Sequence, residues 1–460
     1  MIENFTLLDP AYTPSTWQLI AEFWRFNDMN VLWVLMGSIL LGISASVIGS
    51  FAFLRRRSLI GDALAHAALP GVMMAFLLFQ TRDPLIMFLG AMTSSFIGFF
   101  IIDWLPKHTK IKPDAALAIT LSFFFAVGLM LLSFIQGMEV ENKSGLDKIL
   151  FGQAAAMTQA DINLLMYVTV FILVTVALFF QKLRLIAFNI NFARSVGMAV
   201  NRYELLLAAL IVMSVVVGLQ LVGVVLMAAV LLTPVATARM WSDGLKNILF
   251  LAGTVGAISA IISTQISYLA PAMPTGPWMV VSLSALFFLS LLFAPKKGLV
   301  KRYLMQQQLR QKVSRENILR TLYKLWERSE FQQNNFNISD IQALRAMPTL
   351  GLRKTLKHLC RQGLLKESTR GFRLSDLGLE QATQLTRRHR LWENYLNEHL
   401  ALTPDQVHSQ AERIEHILTL EQEKQLEEEL KNSLKDPHGN QIPGAQAQIK
   451  TPIKPQGKAI

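Results

Sequence analysis

This chain predicts an all-α polytopic membrane protein of about nine transmembrane helices, followed by a water-soluble winged helix-turn-helix and a further helical domain. Three observations carry that reading. Of the 460 residues, 52% are hydrophobic and 17% charged, and mean hydropathy is +0.36, whereas soluble chains carry about a quarter charged residues. The first 300 residues hold 32 charged side chains and the last 160 hold 44, so a charge-poor part precedes a charge-rich one. Within the first part, apolar runs recur at the length of about 20 residues that a helix needs to cross a bilayer. These figures exclude a chain that is soluble throughout, and a disordered one. A single cysteine, Cys360, excludes a disulfide framework and a cysteine-rich metal cage.

Taken in order, residues 1–29 form an N-terminal extracytoplasmic segment. Glu3, Asp9, Glu22 and Asp28, with no basic start before an apolar run, argue against a cleavable signal peptide. The membrane domain covers 30–298. Its expected spans are 30–54, 58–80, 84–104, 113–136, 160–180, 203–218, 221–240, 247–269 and 275–294. Basic clusters follow the first span (Arg55, Arg56, Arg57), the third (Lys107, Lys110, Lys112), the fifth (Lys182, Arg184, Arg194, Arg202), the seventh (Arg239, Lys246) and the ninth (Lys296, Lys297, Lys301, Arg302). Every second loop is positive, which places those loops and the C-terminus in the cytoplasm. Only Gly218–Gly223 separates the sixth span from the seventh. Joining them would give eight spans and break the alternation after residue 240.

Two polar features stand out among the spans. Asp62 and His66 are i,i+4 and share one helix face. A carboxylate in hydrocarbon is costly and should face a cavity or a partner. A carboxylate with an imidazole is also a ligand pair for Mn²⁺, Fe²⁺ or Zn²⁺. The competing reading is a structural Asp–His hydrogen bond near the membrane surface. The second feature is Leu231-Leu-Thr-Pro-Val-Ala-Thr-Ala-Arg239, where proline interrupts the backbone ladder and threonine hydroxyls can satisfy the freed groups. A helix end is its ordinary meaning.

With these residues in view, the membrane part resembles the permeases of metal-ion ABC importers, the family that moves zinc, manganese or iron. The matching stretches run in family order over about 30–295: Arg57-Ser-Leu-Ile-Gly-Asp-Ala-Leu-Ala-His-Ala-Ala-Leu-Pro-Gly-Val72, Leu150-Phe-Gly152, Asn191-Phe-Ala-Arg-Ser-Val-Gly197, Gly223–Arg239 and Pro274-Thr-Gly-Pro-Trp278. The resemblance implies a bacterial plasma-membrane permease that pairs with a second permease subunit, with a cytoplasmic ATPase and with an extracytoplasmic metal-binding protein. It implies that Asp62 and His66 line the metal path. It also implies that Ala193, Arg194, Ser195, Val196 and Gly197 dock the ATPase, in a loop that charge already places inside. No G-x-x-x-x-G-K-[ST] phosphate loop exists in the chain, so the energy of ATP must come from a partner. A secondary transporter would need coupling-ion sites instead. An enzyme reading lacks a nucleophile beside Asp62 and His66.

After Pro295 the composition changes. Residues 299–312 are a basic, glutamine-rich connector, helical or extended. Residues 313–385 predict a winged helix-turn-helix. Glu316–Arg328 is amphipathic through Ile318, Leu319, Leu322 and Leu325, a second helix opens at Ile338, and a third runs over 348–359 and ends at Gly363. Leu364–Leu374 reads as a hairpin turning near Gly371. Residues 301–390 hold 19 basic and 7 acidic side chains. Thr349, Arg353, Lys354 and Lys357 on the third helix, with Arg370 and Arg373 on the wing, are the expected DNA contacts. Protein contact and anionic lipid are the competing uses of such a surface.

Residues 386–444 reverse the sign of charge and form the further helical domain. His389 and Glu393 are i,i+4, and His408, Glu412, Glu415 and His416 form one stripe on the next helix. A solvated face is the ordinary meaning of one stripe; two helices with the same His/Glu pitch point to a metal site of oxygen and imidazole ligands. This part resembles the diphtheria-toxin-repressor-like, metal-dependent regulators through Glu316-Asn-Ile-Leu-Arg-Thr-Leu-Tyr323, Leu377-Gly378, Arg388-His-Arg-Leu-Trp-Glu393, Val407-His-Ser-Gln-Ala-Glu-Arg-Ile-Glu-His416 and Asp436-Pro-His-Gly-Asn-Gln-Ile-Pro-Gly444. The resemblance implies a metal-binding and dimerisation domain. Glu412, Glu415 and His416 would be principal ligands, and His389, Glu393 and His408 would complete paired sites. Glu412 favours manganese over iron. Asn317 and Arg320 depart from the family, standing where its manganese branch has carboxylates. Residues 445–460 are expected to be a disordered tail. The fused architecture implies a permease that carries a metal sensor. The alternative is a membrane-anchored precursor of a DNA-binding repressor, freed by cleavage in the connector.

Overall fold

The computed structural model describes residues 15–55, 59–139, 152, 157–269, 273–345, 347–400, 420–430 and 435–444. They fall into two compact units, Met1–Arg302 and Tyr303–Ile460, each considered by itself.

The first unit is helical throughout its described residues: α1 Thr16–Phe23, α2 Met29–Leu54, α3 Ile60–Phe79, α4 Pro84–His108, α5 Pro113–Gly137, α6 Gln159–Phe188, α7 Ile190–Ser195, α8 Val200–Val222, α9 Met227–Trp241, α10 Leu245–Leu269 and α11 Thr275–Phe293. Local chemistry starts several of them. Asp28 accepts from the Asn30 amide at 2.8 Å and caps α2. Asp83 accepts from Leu85 and Ile86 and caps α4, whose first residue is proline. Thr158 and Asp161 make a reciprocal cap on α6.

Apolar helices stand at all nine expected places, but among the described residues eight are long and apolar enough to cross a membrane. The exception is α9. Its 15 residues rise about 22 Å, short of a hydrocarbon core of about 30 Å. The expected span 221–240 is shortened at its start because Gly223, at φ 86°, ends α8, and helix resumes only at Met227. Much of α9 is buried, and it packs against α2, α10 and α11.

Two helix pairs cross with their backbones nearly touching. A Cβ on Gly42 would meet the Gly256 carbonyl of α10 at 2.6 Å, and one on Gly71 would meet the Gly90 carbonyl of α4 at 2.1 Å. In lipid, such close approach of small residues replaces the hydrophobic drive that water supplies. Gly256→Leu is therefore expected to prevent α2 and α10 from packing and to remove most folded protein, read as loss of the monodisperse peak on size exclusion in detergent.

In the second unit, the connector and the first amphipathic helix prove to be one helix, α12 Leu299–Arg328. No glycine or proline interrupts 299–328, so nothing stops the turn from propagating. Then follow α13 Ile338–Leu344, α14 Thr349–Arg361, an antiparallel hairpin of β1 Leu365–Ser368 and β2 Gly371–Leu374, α15 Asp376–Leu400 and α16 Leu420–Glu429. The hairpin pairs Leu365 with Leu374 and Ser368 with Gly371, so it turns at Thr369–Arg370, next to the expected glycine. Ile318, Leu322, Ile341, Leu352, Leu356 and Phe372 meet in its core.

Candidate functional site

In the first unit the site is built on α3, which packs on α4, α5 and α8. Ser94 and Ser95 of α4 donate to the Ala67 and Leu64 carbonyls at 2.6 and 3.1 Å and fix α3 from one side. His66 is buried and Asp62 half-buried. His66 Nδ1 lies 2.9 Å from the Asp62 backbone carbonyl and 3.5 Å from Asp62 Oδ1. A carbonyl oxygen can only accept, so Nδ1 carries the hydrogen and Nε2 keeps its lone pair. Phe125 of α5 meets the imidazole edge-on, with centroids 4.9 Å apart. The histidine is thus oriented by its own helix and one aromatic ring, with one nitrogen and a nearby carboxylate left to meet a cation. Among the described residues no third histidine, cysteine or acid joins them.

The segment 193–197 lies on α7 and the turn after it. Ala193 is buried against Ile186 and Val200, while Phe192, Arg194, Ser195 and Val196 are exposed. Asn189 caps this short helix by accepting from the Phe192 amide at 3.0 Å, and Gly197, at φ 79°, ends it. A mixed apolar and basic ridge results. Between α2 and α8, Arg55 forms an ion pair with Glu204. The sequence marked Arg55 only as loop charge, and no local pattern links it to a residue 149 positions on.

In the second unit, Thr349, Arg353, Lys354, Lys357, Arg370 and Arg373 are all exposed. The buried face of α14 is Leu352, Leu356 and Leu359, so the basic residues sit on its other face. His408, Glu412, Glu415 and His416 lie outside the described residues.

His389 and Glu393 face a cavity of about 900 Å³ together with Arg320, Lys324, Arg390 and Asp436. Arg320 Nη1 lies 2.6 Å from His389 Nδ1, and His389 Nε2 lies 2.9 Å from Glu393 Oε1. Guanidinium only donates, so Nδ1 accepts and Nε2 carries the hydrogen to the carboxylate. A neutral imidazole therefore bridges a guanidinium and a carboxylate, and all three residues are buried. Both ring nitrogens are engaged and a positive charge already sits beside the ring. In this arrangement the guanidinium of Arg320, the sequence's departure from the family, stands at one of the two ring nitrogens of His389. The other departure, Asn317, is buried, and among the described residues its Oδ1 has no hydrogen-bond partner, an acceptor open to a cation or a water.

The rest of the cavity is a second ion network, which sequence reasoning missed. Arg390 holds Glu327 through two bonds of 3.0 and 2.5 Å and lies 3.3 Å from Asp436. Asp436 in turn accepts from the His438 and Asn440 amides, so the motif 436–444 folds around that carboxylate. Lys324 is exposed along much of its side chain, yet partial desolvation of its ammonium at the cavity wall holds it below a lysine's ordinary value, and Arg328 and Arg320 add to the shift while Glu393 opposes it. A lysine depressed in the folded state costs stability while it stays charged. That cost is present at neutral pH and disappears as pH rises toward the ordinary lysine value. Lys324→Met should therefore raise the melting temperature of the second unit at pH 7, with a gain that shrinks by pH 10, as scanning calorimetry would show.

Known proteins resemble both parts of the chain. The ABC 3 transport family matches residues 27–294, and the iron dependent repressor, metal binding and dimerisation domain matches 375–444. The manganese transport system membrane protein MntC of Bacillus subtilis is 38% identical over 382 residues, 82% of this chain and 86% of its own. The zinc transport system membrane protein TroC of Treponema pallidum is 38% identical over 275 residues, 60% of this chain and 92% of its own. PsaBC of Streptococcus pneumoniae, solved in complex with Fab, superposes with a TM-score of 0.56 at 33% identity, over 63% of this chain and 99% of that one. With more than half its length matched by one family and a relative of this identity over four-fifths of it, the chain belongs to the ABC 3 transport family of membrane permeases and carries a repressor-type metal binding and dimerisation domain near its C-terminus.

Proposed function

We propose that the protein is the permease subunit of an ATP-driven importer of divalent transition metals, with manganese the preferred cargo, in a bacterial plasma membrane. The observation that carries this reading is the Asp62–His66 pair on buried α3, whose Nε2 lone pair and carboxylate offer a passing cation two hard or borderline donors. Two donors are fewer than the four of a closed structural site, which suits transit rather than storage. A cytoplasmic ATPase on the α7 ridge, a second permease subunit and an extracytoplasmic metal-binding protein complete the assembly, and the basic loops put the C-terminus inside. Relatives named for manganese and for zinc support the cargo class. Uptake of radiolabelled Mn²⁺ by cells, competed with Fe²⁺ and Zn²⁺, tests it. Manganese should compete best with itself, and uptake untouched by all three ions would reject the reading.

The C-terminal domain is proposed to sense the imported metal through Glu412, Glu415 and His416, with His389 and Glu393 set aside by Arg320. A second reading is favoured by the exposed basic face of α14 and the hairpin: the domain acts at DNA as a winged helix-turn-helix repressor after release from the membrane. Residues 301–312 are exposed but helical, so a protease would first have to unwind them. An immunoblot showing a soluble C-terminal fragment supports this second reading. A full-length chain at both high and low metal rejects it.

A further inference from the structure

Helices α2, α6 and α10 leave between them an open groove of about 670 Å³. Val47 of α2, Phe180 of α6 and Phe250, Gly253 and Ala257 of α10 help to line it, and Lys246 stands at one end. Phe250 is 75% exposed. The hydroxyl of Thr254 is turned back to the Phe250 carbonyl at 2.9 Å, so this part of the wall offers no polar hold.

The groove has a depth and a polarity. From Lys246 to Ala257, α10 rises about 16 Å, half of a hydrocarbon core of about 30 Å. That is the thickness of one leaflet. Lys246 lies in the first turn of α10, and its Nζ rests over the Phe180 ring at 5.9 Å from the centroid. The nearby carboxylate Asp243 is already paired with Lys297, whose Nζ also donates to the Arg239 carbonyl at 3.2 Å. Among the described residues, no ion pair is formed by Lys246. An apolar slot one leaflet deep, closed at the headgroup level by an ammonium group without a carboxylate, matches a lipid chain below an anionic phosphate.

We propose that this groove binds one acyl chain of an anionic phospholipid, with the phosphate against Lys246. A groove in lipid left empty forfeits dispersion contacts along its whole lining, so something fills it. The charge selects which lipid: one basic residue near the surface is worth about fivefold in favour of an anionic headgroup. This assignment is independent of the metal reading, because it uses neither α3 nor the second unit.

The full-length protein in nanodiscs provides the test. The discs contain phosphatidylglycerol or phosphatidylcholine carrying a diazirine midway along one chain, and labelled peptides are mapped by mass spectrometry. Wild type should be labelled on the α6 and α10 walls about fivefold more by phosphatidylglycerol. Lys246→Gln should bring the two lipids to parity while labelling persists. Gly253→Leu should lower labelling by both. A Cβ there meets the Ile43 and Val47 methyls at ordinary contact distances of 3.8 and 4.0 Å, and the rest of the leucine side chain takes up space at the groove wall. Equal labelling of wild type by the two lipids overturns the proposal, as does labelling indifferent to Gly253→Leu. So does a disulfide between two copies carrying Phe250→Cys in a Cys360→Ser background, which would seat a second chain in the groove.

Discussion

Asp62→Ala and His66→Ala each cut manganese uptake about 100-fold or more, with the protein still present in the membrane at wild-type level. The magnitude follows from the role. Loss of a group that merely orients a metal ligand costs about 10–100-fold, and a group that meets the cation itself costs at least as much. The geometry sharpens the expectation. Because Nδ1 is held by the Asp62 carbonyl, Nε2 is the ring nitrogen left for a cation, and His66→Gln replaces that imidazole donor with a weaker amide oxygen. Asp62→Asn keeps the size and removes the charge, so it separates electrostatic attraction from packing. Wild-type uptake in both alanine variants would remove the pair from the metal path.

The second large effect lies in the appended domain. Arg320→Met removes the guanidinium that holds His389 against Glu393 and leaves a buried imidazole nitrogen without its donor, which costs about 1–3 kcal/mol. Hydrogen exchange on the full-length protein in detergent should show α12 and α15 losing protection together. Arg320→Glu goes further: it puts a carboxylate next to His389 and Glu393, so protection of the same helices should return when Mn²⁺ is added. Wild-type protection there should be indifferent to metal. If Arg320→Met exchanged as slowly as wild type, the guanidinium would not be what holds that corner.

Hydropathy and loop charge made the membrane part legible because a span must be both long and apolar, and both properties are local in sequence. The bounds of α2, α4, α5, α10 and α11 begin within two residues of expectation. The exception is instructive. Val222, Val224 and Val225 continue the apolar run across Gly223, so hydropathy alone extends the seventh span to 221, while the backbone at Gly223 starts a new helix only at Met227. The hairpin was legible from its turn near Gly371. The Asp62–His66 spacing was legible as a shared face, but the choice of the backbone carbonyl as partner for Nδ1 was not, because it depends on a rotamer. Arg320 was noticed as a departure; that it reaches a histidine 69 residues away is a property of how α12 meets α15. The second ion network and the α2–α6–α10 groove draw on several elements each, and no window of sequence contains them.

The brevity of α9 bears on how the chain is made. A 15-residue apolar stretch bearing Thr233 and Pro234 is a feeble stop signal for the translocon, which commits a segment to the bilayer by its summed apolarity. This one therefore enters as half of a pair, drawn in beside α8 before it or α10 after it.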